Sequence, residues 1–336
     1  MKLLFKNIEE VQEYISVNIS CDFLNIKESL RVVTRKHLFR AISKKQYKDL
    51  IKKLEAEKLK ELDIELLDHC KRIVANFAFA HKLPELQVQI SDAGIHIVST
   101  ENKKTAFPWQ IQNLQRHYTK NAYDAIEECL EFLTENFKNF PIWHQSEAFT
   151  EATECLINNA KTFNEYVFIH ENRLLFTELK PHLKRIQRTR IFTQCEKLFE
   201  KILLQTQKND VSEKNIEVLE KARTALAKLT MSEFMKVKTI IIDEDGITTT
   251  ATNNTQTING KIASEPNIYA QARMSYEEQG DLELQELVYY LKENRRSFVE
   301  VEEQYPEEPK KIECCEKCHR HKTVCDCQKD RKILFL

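Results

Sequence analysis

Glycine is nearly missing from this chain: four occur in 336 residues. That scarcity excludes most chemistry built on glycine-rich phosphate loops, and neither a G-x-G-x-x-G nor a Walker sequence is present. Proline is also sparse, with seven residues, and together the two shortages favour helices in a sequence rich in Lys, Glu, Leu and Ala. No apolar run approaches the roughly 20 residues needed to span a bilayer. The opening Met1-Lys2-Leu3-Leu4-Phe5 lacks the long apolar centre and small-residue cleavage site of a signal peptide. These features lead to the expectation of a soluble protein, made and at first kept in a cytoplasm. No Ser-His-Asp or Cys-His order stands out, and His37, His69, His81 and His182 lie singly on helical stretches, where packing or solvation is their ordinary use. No enzyme is expected, and no catalytic residue is assigned.

What the chain does have is internal repetition. Residues Asn7 to Val17 read N-I-E-E-V-Q-E-Y-I-S-V, and 152 positions later Asn159 to Ile169 read N-A-K-T-F-N-E-Y-V-F-I. In that register Tyr47 meets Phe199, Leu50 meets Ile202, Ala75 meets Ala227 and Gly94-Ile95 meets Gly246-Ile247. After about six extra residues in the second copy, Phe132 to Asn136 with Phe140 meets Tyr290 to Asn294 with Phe298. With 42% hydrophobic residues the chain can build two cores of ordinary domain size. The expected organisation is one unit over 1–150, a second over 151–300, and a linker with a cysteine-rich tail over 301–336.

Periodicity fills in the units. Helices are expected at Asn7 to Ile15, Leu24 to Arg40, Lys44 to Glu57 and Glu61 to His81, the last marked by Leu67, Cys70, Val74 and Phe77 on one stripe. Alternation at Leu86, Val88, Ile90, Ile95 and Ile97 around Asp92-Ala93-Gly94 predicts a β-hairpin near 86–98, and Val237, Thr239 and Ile241 before Asp245-Gly246 predict its partner near 237–250. A long helix runs from Pro108 towards Phe140, with a counterpart from Ala272 to Arg296. Thr249 to Ser264 reads as a loop or extended strand, and Glu300 to Lys311 as an acidic linker. The fold class is therefore mainly α with small β-hairpins (α+β), as two tandem helical units plus a tail.

Three constellations could carry function. Lys27 to Lys53 holds ten Lys or Arg against two acids, and Arg173 to Lys201 holds eight against three. Arg35, Lys36, Arg40, Lys44 and Lys45 in the first stretch, with Lys184, Arg185, Arg188 and Arg190 in the second, are candidates to line a nucleic-acid passage or to meet a neighbour's acids. A solvated helical face is the alternative. The acids Asp124, Glu127, Glu128 and Glu131 read as the wet side of a helix. Cys315, Cys318, Cys325 and Cys327 could hold a structural zinc ion, with Cys314, His319 and His321 as substitutes, against the alternative of a plain reactive tail. Cys21, Cys70, Cys129, Cys155 and Cys195 lie singly in apolar or helical contexts, as small buried residues do.

The segments Lys2 to Ile15, Leu83 to Ile95 and Ala106 to Gln110, with Phe163-Asn164-Glu165-Tyr166 opening the second half, resemble a family encoded by phages and prophages of Bacteroidetes. The likeness covers about residues 1 to 300. It implies a structural role in the virion neck, as a ring below the portal like those of crAss-like phages. More weakly, the short acidic helix ending in Tyr and the helices after it resemble helical head-tail adaptors, so that the chain looks like two adaptor-like units in tandem. That resemblance implies a homo-oligomeric ring, expected as a dodecamer, contacting the portal, the next ring or tail protein, and double-stranded DNA in its lumen. It gives a location in the virion after assembly in the host cytoplasm, with no membrane partner. A second reading is a nucleic-acid-binding packaging or regulatory factor that uses the basic helices and a zinc tail, and an enzyme with an unfamiliar site ranks last.

Overall fold

The computed structural model describes residues 1–15, 22–91, 94–97, 106–238, 240–243, 246–249 and 266–305. The first half runs α1 (Ile8–Gln12), α2 (Phe23–Val33), a π-helical turn (Thr34–Leu38), α3 (Phe39–Ile42), α4 (Lys44–Glu55), α5 (Glu61–Lys82), β1 (Val88–Ser91), β2 (Gly94–Ile97), α6 (Pro108–Glu135), α7 (Pro141–His144) and α8 (Glu147–Thr153). The second half repeats the plan: α9 (Ala160–Tyr166), α10 (Arg173–Ile186), a π-helical turn (Gln187–Ile191), α11 (Glu196–Gln207), α12 (Glu213–Lys238), β3 (Ile240–Asp243), β4 (Gly246–Thr249), α13 (Pro266–Glu293) and α14 (Val299–Gln304).

The same local chemistry starts and stops equivalent elements. Asn7 accepts from the Glu10 amide at 3.0 Å to cap α1, and Asn159 accepts from the Thr162 amide at 2.7 Å to cap α9. Tyr14, two residues past α1, then donates to Asp68 on α5 at 2.9 Å, and Tyr166 donates to Glu220 on α12 at 2.6 Å. Both α6 and α13 begin on a proline, whose missing N–H costs nothing in a first turn, and both run 28 residues. Ser43, at φ 68°, breaks α3 from α4 and caps the latter through the Gln46 amide at 3.2 Å. One buried cluster draws on residues from Leu4 to Phe149 and another on residues from Cys155 to Val301. The α5–α6 and α12–α13 pairs form the two spines. Cys70, Cys129, Cys155 and Cys195 are buried free thiols.

The fold is mostly helical, and the α+β designation is not supported. Its strands make two separate antiparallel ladders, Val88↔Ile97 to Ser91↔Gly94 and Ile240↔Thr249 to Asp243↔Gly246, each paired only with itself. Two strands of four residues do not make a layer on which a core could rest. The segment from Glu300 also departs from the expected linker. Residues Val299–Gln304 form α14, with Val301 fully buried and Glu300 and Glu303 paired to Lys201 and Lys197 at 2.8 and 2.6 Å. A single apolar residue among acids is enough to anchor the turn, and so sparse a signal leaves no visible period. The expected loop at Thr249 to Ser264 lies almost wholly outside the described residues.

Gly280 lets α13 lie directly against Leu229 of α12. A Cβ there would stand 2.7 Å from Leu229 Cγ and 3.0 Å from the Leu229 amide nitrogen. Overpacking of this kind costs about 1–3 kcal/mol, and better helix propensity returns at most about 1 kcal/mol. Gly280→Ala is therefore expected to lower the thermal midpoint, and an unchanged or raised midpoint in a melting experiment would refute the packing argument.

Candidate assembly surfaces

The two basic stretches are alike in sequence and unlike in space. In the second half the cations are neutralised from within the chain: Lys184 pairs with Glu154 at 2.5 Å, Arg185 with Glu233, and Arg190 with Asp281 at 2.5 Å, while only Arg188 on the π turn stands exposed without an ion pair among the described residues. In the first half Arg35 and Lys36 on the π turn, Arg40 on α3, and Lys44 and Lys45 on α4 are all exposed, and none makes an ion pair among the described residues. Among the described residues the two stretches thus offer one bare basic face rather than two.

His37 sits at the inner edge of that face, stacked on Phe77 with ring centroids 3.9 Å apart. Burial first, then Lys36 and Arg40, hold its pKa at about 4. The unfolded imidazole titrates near 6.5, so between those values the unfolded chain binds a proton that the folded chain refuses. The stabilisation is complete above about pH 6.5 and is lost as pH falls through 4. Urea midpoints are expected to decline over this window and to decline less in His37→Phe; parallel profiles for the two proteins would contradict the assignment.

The seam between the halves is polar. Glu127 on α6, expected from the sequence to lie on a wet face, reaches the second half instead: one oxygen accepts from the Ala160 amide at 2.5 Å and the other pairs with Arg173 at 2.5 Å. It thereby holds the first residue of α9 and the first residue of α10 together. The Glu127 and Arg173 side chains are 18% and 9% exposed. Lys180 donates to the Glu151 carbonyl of α8 across the same seam, while Gln187, which bridges the Leu156 amide at 2.7 Å and the Glu154 carbonyl at 3.0 Å, and Arg223, which donates to the Leu156 carbonyl at 2.9 Å, fasten the chain where it enters the second half. Beside the seam lies a groove of about 640 Å³ lined by Asp124, Glu128, Glu131, Lys120 and Arg173 among others. Burial raises the Asp124 carboxyl above its usual range; Lys120 opposes this, and Glu128 and Glu127 add to it.

Sequence reasoning does not find the Glu127–Arg173 pair, because nothing local announces a partner 46 residues away. Cys315, Cys318, Cys325 and Cys327 lie outside the described residues. Among the described residues no cluster of three or more His, Cys, Asp or Glu side chains could hold a metal ion, and no helix is long and apolar enough to cross a membrane.

Fold and seam together define a mostly helical protein made of two tandem repeats locked by a polar interface. The chain belongs to DUF6712, a family of unknown function, whose model matches it over residues 30–153 and again over 179–308. No curated protein and no solved structure matches the chain.

Proposed function

We propose that this chain is a structural virion protein: a head-tail connector ring below the portal of a tailed phage, built from adaptor-like repeats and enclosing a passage for double-stranded DNA. The observation that carries the reading is the tandem body itself. Each repeat has its own core and its own spine, one repeat already grips the other, and the two repeats expose surfaces of different character. A ring of identical chains needs such unlike faces, because it is built from head-to-tail contacts that join two different surfaces and close when the rotation between neighbours allows it. The resemblance of Lys2 to Ile15 and Leu83 to Ile95 to phage neck proteins supports the same assignment. Its partners are further copies of itself, the portal above, a ring or tail protein below, and duplex DNA in the lumen. It acts in the virion, after assembly in the host cytoplasm, and performs no catalysis.

Mass spectrometry of purified particles tests this, with the chain expected at about twelve copies, the number that the resemblance to phage neck rings implies. Absence from particles would overturn it. The bare basic face of the first repeat favours a second reading, a packaging or regulatory factor that binds duplex DNA as a monomer, with zinc at Cys315, Cys318, Cys325 and Cys327. Tight duplex binding that weakens steeply with salt and is abolished by chelators would select that reading instead.

A further inference from the structure

The contact between the two repeats is a template for a contact between chains. Within the chain the first repeat contributes the outer stripe of α6, and the second contributes α9 and the stripe of α10 that carries Arg173, Lys180 and Lys184. Since α6 and α13 start on equivalent prolines and have equal length, the counterparts of Arg116, Asp124 and Glu131 are Met274, Leu282 and Tyr289. On α6 the seam and its groove use Asp124, Glu127 and Glu131. On α13 the positions matching these three are Leu282, Gln285 and Tyr289, which carry no partner among the described residues; Leu282 and Tyr289 are 60% and 67% exposed, and Met274, two turns earlier on the same side, is 50% exposed. Large apolar residues spaced eight and seven apart on one helix face are an unpartnered interface.

The complementary end is also free. The π turns at Thr34 and Gln187 fix the alignment of α2 with α10, so that Leu24, Lys27 and Arg31 stand where Thr177, Lys180 and Lys184 stand in the second repeat. Leu24 is 68% exposed, Lys27 has no ion pair among the described residues, and Arg31 pairs with Glu28 on its own helix at 3.2 Å. Glu278 and Glu286 flank Leu282 on the exposed side of α13 and offer those cations acids, as Glu154 does for Lys184 within the chain.

We infer that the Met274–Leu282–Tyr289 stripe of α13 seats the Leu24–Lys27–Arg31 stripe of α2 from a second copy of this chain, repeating the intrachain seam head to tail. The inference rests on the reading of the chain as a self-assembling ring subunit, and it names the lateral contact. Exchanging the polar seam inside the chain for an apolar one between chains fits the chemistry, since only the second must form from separate molecules in water.

Light scattering coupled to size exclusion tests the contact with the full chain. The wild type is expected to gain mass with concentration. Leu282→Glu/Tyr289→Glu and, separately, Leu24→Glu should each remain at the mass of one chain, 39.7 kDa. Circular dichroism and melting should not change, because these side chains are exposed. Mixing the two variants leaves one intact pair of faces, so a species of two chains and nothing larger should form. Wild-type material that stays monomeric at the highest attainable concentration would overturn the inference, as would variants that assemble like wild type. So would variants that self-associate normally but lose a different neck protein. If soluble wild type assembles as described but is absent from particles, the neck assignment falls while the interface stands.

Discussion

Truncating Trp143 to alanine will remove about 3–5 kcal/mol of folding free energy, the range for deleting a large buried aromatic. Trp143 is fully buried although its own helix, α7, is only four residues long. Its indole Nε1 donates to the Ala41 carbonyl at 3.0 Å, at the point where α3 ends and the Ser43 turn begins. Its ring meets Phe149 of α8 edge to face at 5.2 Å between centroids. A single side chain therefore ties the closing elements of the first repeat to its opening ones, across 102 residues of sequence. Loss of the ring leaves a cavity and an unpaired carbonyl together, and the two costs add. Trp143→Phe should lose less, because the ring volume is partly kept while only the hydrogen bond disappears. Guanidinium denaturation of the three proteins measures this, and a loss below about 1 kcal/mol in the alanine variant would show that the site collapses around the gap.

The long helices are legible because apolar residues at spacings of three and four come together on one side only when the chain is helical. The stripe predicts a helix over Glu61 to His81, and Glu61–Lys82 is observed, with Cys70, Val74 and Phe77 buried. Periodicity predicts one helix over Leu24 to Arg40; the chain does run helically from Phe23 to Ile42, but a π turn at Thr34–Leu38 rotates the stripe partway along. A period of 3.6 gives no warning of such a turn. Its recurrence at Gln187–Ile191 is visible only when the two halves are laid side by side in space. The counterpart of α6 begins at Pro266, six residues before the expected Ala272, because Pro266-Asn267 has the composition of a loop and yet makes the first turn. Legibility fails most where charge is concerned. Ten cations in one stretch and eight in the other look equivalent, yet among the described residues Arg35, Lys36, Arg40, Lys44 and Lys45 of the first stand unpaired, while Lys184, Arg185 and Arg190 of the second are neutralised by acids from α12, α13 and the segment between the repeats. Residue spacing reports which face of a helix is polar. It does not report what a polar face meets.

Glu127 is the sharpest instance, and its replacement by alanine is expected to cost about 3–5 kcal/mol, the penalty for leaving a buried cation without its counter-charge. Arg173 is only 7% exposed, its Nε already lacks an acceptor, and the Phe176 ring, 5.3 Å from the guanidinium carbon, compensates little of the lost carboxylate. The Ala160 amide loses its acceptor in the same step. The damage falls on the join rather than on either core, because the two hydrophobic clusters share no buried residue. Denaturation of Glu127→Ala should accordingly resolve into two transitions, one for each repeat, where the wild type shows one. Removing the cation as well separates charge from packing: Glu127→Leu/Arg173→Met has no buried charge left unpaired and should recover most of the loss. If the double variant is no more stable than Glu127→Ala, the ion pair is not what holds the repeats together, and the weight shifts to Lys180 and Gln207, whose bonds to the Glu151 and Thr153 carbonyls of α8 cross the same seam.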